Sequence, residues 1–316
     1  MIYDLVIHDT VGRPYVGDTT KGIGGSEHFV QKLGKRLAER GLSVLVLNAS
    51  GVLGPVWTGD GVTYADYRAV GEVECKTLLL QRATPLPMNV AFEKLLVQVH
   101  DAPTTPDLNL IGAYLERLGA TLVCVSDYQR SLYPEGWKAR LIYPILHDLP
   151  APIPKDETMF LYASAACKGW PETLSMWQAF RRMYPKLRDA RLHVIESGYD
   201  EPLRVSDPSV VYLGKLADND LLTYLNLAAA IFYVNTMVEM FPVPVALARY
   251  MGARIHALCL NGVGGMAEAA GVGKCVTTDH DLFRESVLAA YGTKTRSGIF
   301  GATSVRAVDR WMEMMA

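Results

Sequence analysis

The first 48 residues carry the pattern that most constrains the fold. Residues 3–8 form a short apolar run, and residues 9–25 are polar and glycine-rich. Phe29, Val30, Leu33 and Leu37 then recur at the 3.6-residue helical period, with Lys32, Lys35 and Arg36 on the opposite side. Gly41 stops that helix and residues 43–48 are apolar again. Strand, loop, helix and strand in this order make the βαβ unit of a parallel sheet.

The alternation runs on. Strands are expected at 77–80, 95–99, 121–125 and 140–143, and a helix at 108–118, with Ser126 placed to cap a further helical turn. Residues 51–72 are the least regular and are expected to hold a small excursion. Pro144, Pro150, Pro152 and Pro154 mark a linker. Beyond it, strands are expected at 160–163, 191–195, 210–213, 231–234, 254–259 and 275–277. Helices are expected at 172–183, 218–228, 244–250 and 279–290, with a short one near Gly265 and an amphipathic one at 304–315. No short-period repeat occurs. The expectation is α/β with two domains, each holding a parallel sheet, facing a central cleft. Ligands of such sheets bind beyond the carboxyl ends of the strands.

A chain of 316 residues accommodates two cores of about 150 residues. With 50% hydrophobic and 20% charged residues it is not a disordered chain. Lys and Arg total 31 against 33 Asp and Glu, with no basic block, so no broad nucleic-acid surface is expected. One or two local cations can still hold an acidic small molecule. The five cysteines, Cys75, Cys124, Cys167, Cys259 and Cys275, are odd in number and form no CxxC pair, which reads as reduced thiols of a cytoplasmic protein. No signal peptide is evident, and the apolar runs 76–80, 227–234 and 242–248 are too short to span a bilayer. Peripheral membrane contact stays open.

Several loops after the expected strands carry candidate chemistry. Gly22-Ile23-Gly24-Gly25-Ser26-Glu27 precedes the first helix, where Gly24 and Gly25 let backbone amides approach an anion. It matches neither the dinucleotide fingerprint nor the Walker loop, and equally reads as a tight loop with Glu27 complementing the helix dipole. His100-Asp101 follows a strand, placing a histidine to meet a hydroxyl, or merely in a structural loop. Ser126-Asp127 holds the equivalent position and also reads as a helix cap. Lys168-Gly169 offers a point charge for a diphosphate, against the default of a surface lysine. Glu196-Ser197-Gly198 borders a ligand or makes a polar turn. Glu239 in Glu239-Met240-Phe241-Pro242 can accept from sugar hydroxyls or complement a helix. Gly262-Val263-Gly264-Gly265 with Glu268 offers a second set of amides for phosphate oxygens. No HExxH, zinc cluster or GxSxG elbow occurs, and Asp218-Asn219-Asp220 reads as a helix start, so no metal site is expected.

Together these loops resemble those of GT-B glycosyltransferases of the retaining family 4 type. The resemblance rests on Gly24-Gly25-Ser26-Glu27 with the "LAERG" of 37–41, Val99-His100-Asp101, and Val125 through Arg130. It extends to Ser164 through Trp170, Glu239-x-Phe241-Pro242, and Val263 through Glu268, covering about residues 1–290 in order. It implies two Rossmann-like domains, 1–148 on the acceptor side and 155–300 for the nucleotide sugar, with 301–316 packing back on the first. It implies transfer of a sugar from a nucleotide diphosphate sugar, a co-substrate with no cofactor, to a saccharide, lipid or protein hydroxyl, with retention of configuration. His100, Glu239 and Lys168 would then be catalytic. Gly24, Gly25, Ser164, Lys168, Gly169, Glu196, Glu239, Phe241, Gly264, Gly265 and Glu268 would bind the donor, and His100, Asp101 and Ser126 would lie on the acceptor side. The chain departs from the family pattern in three places. Leu247 stands where a glutamate grips the donor ribose, Ala163 where an arginine assists the lysine, and Pro144-Ile145 where Asn-Gly is usual. Two alternatives follow: a non-catalytic nucleotide- or sugar-binding subunit, and a nucleotide-sugar 2-epimerase-like enzyme.

Overall fold

Leu5, Val6 and Ile7 in β1 (Ile2–Asp9) are fully buried, because helices or loops cover both faces of this central strand. In the computed structural model, residues 2–11, 14–17, 24–51, 54–57, 60–146, 150–151, 153–197, 199–271, 275–290 and 303–316 are described. The chain divides into two units, Met1–His147 with Ala302–Ala316, and Asp148–Gly301.

The first unit is built on an eight-stranded sheet of order β3-β4-β2-β1-β5-β6-β7-β8. Its strands are β1, β2 (Val44–Asn48), β3 (Val56–Trp57), β4 (Thr63–Asp66), β5 (Val73–Gln81), β6 (Val90–Gln98), β7 (Thr121–Cys124) and β8 (Ala139–Leu141). All pairings are parallel except β3 with β4. Helix α1 (Gly25–Ala38) buries Phe29, Val30, Leu33 and Leu37, the stripe expected from the sequence. Helix α2 (Thr105–Leu118) starts at a capping box of Thr104 and Asp107 and ends at Gly119 in the left-handed region. A short α3 (Asp127–Ser131) follows β7. The described residues among 51–72 include β4, which pairs in parallel with β2 and extends the sheet, where a small excursion was expected. Helix α9 (Thr303–Met315) belongs to this unit. Its Ala307, Val308 and fully buried Trp311 join the core formed by α1 and β1, with Trp311 against Phe29 at 5.9 Å.

The second unit has a six-stranded parallel sheet of order β11-β10-β9-β12-β13-β14. Its strands are β9 (Asp156–Ser164), β10 (Arg191–Glu196), β11 (Val210–Gly214), β12 (Ala228–Asn235), β13 (Arg254–Cys259) and β14 (Cys275–Thr277). The helices are α4 (Trp170–Met183), α5 (Asp218–Leu227), α6 (Val243–Tyr250), α7 (Met266–Ala270) and α8 (His280–Ala290). Phe160, Trp177, Phe180, Phe232 and Phe283 pack ring against ring, tying α4 and α8 to the sheet. Asp218 and Asp220 lie in the first turn of α5, where they complement the helix dipole. No helix among the described residues is long and apolar enough to cross a membrane.

Candidate active site

In the second unit, the loops beyond β9, β12 and β13 converge. Lys168 closes a 3-10 turn after β9 and its Nζ stands 2.9 Å from Oε1 of Glu239, in the loop after β12. The Lys168 carbonyl accepts from the Thr236 amide at 3.1 Å. Gly169, at φ 120°, lies so close to the Val234 carbonyl that a Cβ could not fit. Ser164, at the end of β9, shares a 3.0 Å hydrogen bond with the Tyr233 hydroxyl. The third loop arrives through Gly265, whose amide donates to the Glu239 carbonyl at 2.7 Å. A Cβ on Gly265 would overlap the Met240 carbonyl, so the approach of the two backbones requires glycine. Gly264 precedes it in the left-handed region, Glu268 follows within α7, and Phe241 is half-buried.

Ser164, Lys168, Gly169, Glu239 and Gly265 are thus brought together, with Gly264 and Glu268 alongside. Glu196 is otherwise engaged. Its buried carboxylate pairs with Arg204, whose guanidinium lies over the Tyr212 ring. Leu247 is buried in the core of α6, so this position supplies no hydrogen-bonding side chain. Among the described residues, no group of three or more acidic, histidine or cysteine side chains could hold a metal ion.

In the first unit, the carboxyl ends of β1, β5 and β6 meet the start of α1. Gly24 is the extended N-cap of α1 and Gly25 its first residue; neither supplies a capping side chain. Gly22 and Ile23 lie outside the described residues, as does Gly198. His100 follows β6, with its ring 5.3 Å from Phe29 of α1 and its Nε2 2.6 Å from Oε1 of Gln81. Burial first, and the Arg82 charge second, push the His100 imidazole down to about 3. Asp101 is exposed. Ser126 takes the helix-cap place that the sequence also allowed: it is fully buried and its hydroxyl accepts the Gln129 amide at 3.0 Å.

The sequence reading missed Arg82. Among the described residues it is the one non-glycine residue in the left-handed region, at φ 65°. Its guanidinium joins Asp9 at 3.0 Å, Glu27 at 3.2 Å and the Ser26 hydroxyl. Both carboxylate side chains are fully buried, and Asp9 also accepts from the Tyr15 hydroxyl at 2.8 Å. Burial raises the Asp9 carboxyl above its ordinary range, against the pull of Arg82. This cluster ties the entry of α1 to the ends of β1 and β5. Asp9 was visible as a polar residue ending an apolar strand; Arg82 sits in no motif.

No protein-family model matches the chain, and no curated protein matches it. Solved structures do. The chain is similar to AviGT4, a glycosyltransferase involved in avilamycin A biosynthesis, at 16% identity over 99% of this chain and 97% of that one, with a TM-score of 0.61. It is similar to Alr3699/HepE of Anabaena, solved in complex with UDP and glucose, at 11% identity over 99% and 98% of the two chains, with a TM-score of 0.57. A glycosyltransferase from Rickettsia africae matches at 12% identity over 99% and 98%, with a TM-score of 0.56. Likeness at such identities speaks to architecture. The chain carries the α/β fold of the GT-B glycosyltransferases, with one sheet parallel and the other parallel except at its β3 edge.

Proposed function

We propose that the protein transfers a sugar from a nucleotide diphosphate sugar to a hydroxyl acceptor, with retention of configuration. The observation that carries this reading is the Lys168–Glu239 pair, 2.9 Å apart beyond the ends of β9 and β12 and bounded by the Gly265 loop. Ligands of parallel sheets sit in such loops. Support comes also from HepE, a protein of the same fold, solved with UDP and with UDP-glucose.

In this reading residues 155–300 hold the donor and residues 1–148 serve the acceptor. The bond from the anomeric carbon to the diphosphate breaks, and a bond to the acceptor oxygen forms on the same face. The acceptor proton leaves with the diphosphate. Negative charge grows on the departing diphosphate, and Lys168 with the amides around Gly264 and Gly265 stabilises it. Glu239 accepts hydrogen bonds from donor sugar hydroxyls. His100, kept neutral, accepts from a hydroxyl rather than adding charge. No cofactor is assigned a step, and the reading takes the protein to act in the cytoplasm, in keeping with cysteines that form no CxxC pair.

One observation favours a second reading, binding without turnover. The resemblance puts a ribose-gripping glutamate where Leu247 is buried in α6, and an arginine where Ala163 stands.

A thermal-shift panel of UDP-, GDP-, ADP-, CMP- and dTDP-sugars with the matched nucleotides tests the donor site. A selective, saturable rise in melting temperature, lost in Lys168→Ala and Glu239→Ala, is expected. No rise with any nucleotide, in folded protein, would sink the reading. Binding without transfer or hydrolysis of the donor across an acceptor panel would select the second.

A further inference from the structure

The carboxylate of Asp200, in the segment after β10, reaches across to the loop that carries Lys168. It accepts the Ala166 amide at 2.8 Å and the Cys167 amide at 2.5 Å. The same carboxylate acts on the Cys167 thiol and holds its proton more firmly. Ala166 and Cys167 are the two residues immediately before Lys168. On the other side the backbone of β12 takes over, through the Thr236 amide on the Lys168 carbonyl and the tight approach of Gly169 to Val234. The lysine is therefore held from both directions, and the Asp200 side takes the form of charge-assisted hydrogen bonds, roughly twice as strong as neutral ones.

We propose that Asp200 is a positioning residue for the donor diphosphate: by clamping the amides of Ala166 and Cys167 it fixes where the Lys168 ammonium stands beside Glu239. This rests on the donor-site reading above. Asp200 acts through Lys168 and need not touch the donor. Asparagine cannot replace it, because its amide nitrogen would face a backbone N–H, donor against donor.

Cys167 supplies an internal reporter. Among the described free cysteines it is exposed, whereas Cys75, Cys124 and Cys259 are buried. Burial and then Asp200 hold its thiol above the ordinary range, against the opposite pull of Lys168. Loss of the carboxylate makes the thiol more acidic. A merely looser loop would raise the alkylation rate at every pH without moving its midpoint.

The experiment uses the full chain as wild type, Asp200→Asn, Asp200→Ala, Lys168→Ala and the Asp200→Asn/Lys168→Ala double variant. Iodoacetamide labelling of Cys167 is followed against pH by mass spectrometry. Binding of UDP, GDP, ADP, CDP and dTDP is measured by calorimetry. Both Asp200 variants are expected to move the labelling midpoint to lower pH and to weaken the bound nucleoside diphosphate by about tenfold. The double variant should lose little beyond Lys168→Ala alone, because the two residues act in series. An unmoved midpoint overturns the clamp itself. Unchanged binding in the Asp200 variants, or losses that multiply in the double variant, overturn the positioning role. A moved midpoint in a protein whose wild type binds none of the five diphosphates overturns the role together with the donor-site reading, and leaves the clamp as geometry only.

Discussion

Nε2 of His100 lies 2.6 Å from Oε1 of Gln81, whose own amide nitrogen donates to Oε1 of Gln98 at 3.0 Å. In that orientation the Gln81 oxygen can only accept. The proton therefore sits on Nε2 of His100, and Nδ1 carries the lone pair. With the imidazole pushed down to about 3, the ring stays neutral in mild acid. Nitrogen-15 NMR at pH 5 is expected to find His100 as the neutral Nε2–H tautomer. A titration midpoint near 6.5 would contradict both the burial and the Arg82 effect.

His8 makes a related prediction about stability. It lies in the buried part of β1 at 5% exposure, and burial alone pushes it down to about 4. The unfolded chain takes up a proton near pH 6.5 that the folded chain refuses. Stability contributed by neutral His8 is thus complete above 6.5 and is lost as pH falls toward 4, by about 1.4 kcal/mol per pH unit. His100 acts in the same direction. Urea unfolding of His8→Gln is expected to depend less steeply on pH between 6 and 5 than that of the wild type. Equal slopes would mean that His8 titrates normally in the folded protein.

Gly265 is expected to tolerate no side chain. Its backbone, at φ −75°, suits any residue, so the cost of Gly265→Ala is purely the clash with the Met240 carbonyl. Relief requires parting the 2.7 Å hydrogen bond from Gly265 to Glu239, which carries the third loop to the site. A loss of about 1–3 kcal/mol in chemical denaturation should accompany loss of any nucleotide-induced thermal shift. Gly214→Ala is the control: at φ 72° with open space around it, it strains one residue and leaves the site loops untouched. A Gly265→Ala protein as stable as wild type would show that the loops are not locked at this contact.

Most of the fold was legible because the sheet strands, buried on both faces, are apolar runs and the helices carry periodic stripes. β4 escaped because Thr63, Tyr64, Ala65 and Asp66 are buried without being an apolar run. Its polar ends are satisfied locally, with the Asp66 carboxylate taking the Gly51 amide at 2.6 Å. β5 was read short because its first half alternates buried and exposed residues while its second half is fully buried. In the site, Lys168, Glu239 and Gly265 were legible from their places after strands. Asp200 and Arg82 were not. Each acts through a partner distant in sequence, Asp200 on residues 166 and 167 and Arg82 on residues 9, 26 and 27, and spacing encodes no such pairing.

Arg82 gives the prediction with the clearest sign. Arg82→Met leaves Asp9 and Glu27, both fully buried, without the cation they share. Breaking a buried pair from one side costs about 3–5 kcal/mol near neutral pH, because the remaining charge is uncompensated. Protonation relieves that cost. Asp9 is already raised by burial, and the Glu27 charge raises it further, so without Arg82 the folded Asp9 carboxyl binds a proton that the unfolded chain releases. A raised carboxyl contributes stability that is present at low pH and lost as pH rises through its folded value. The His8 contribution cancels when variant and wild type are compared at the same pH, while His100, relieved of the Arg82 charge, takes up its proton more readily and narrows the gap in the same direction. The gap between them in urea unfolding is therefore expected to narrow as pH falls from 7 to 5. A gap of constant size would assign the loss to packing around the Arg82 side chain, and the cluster at the entry of α1 would not be an electrostatic one.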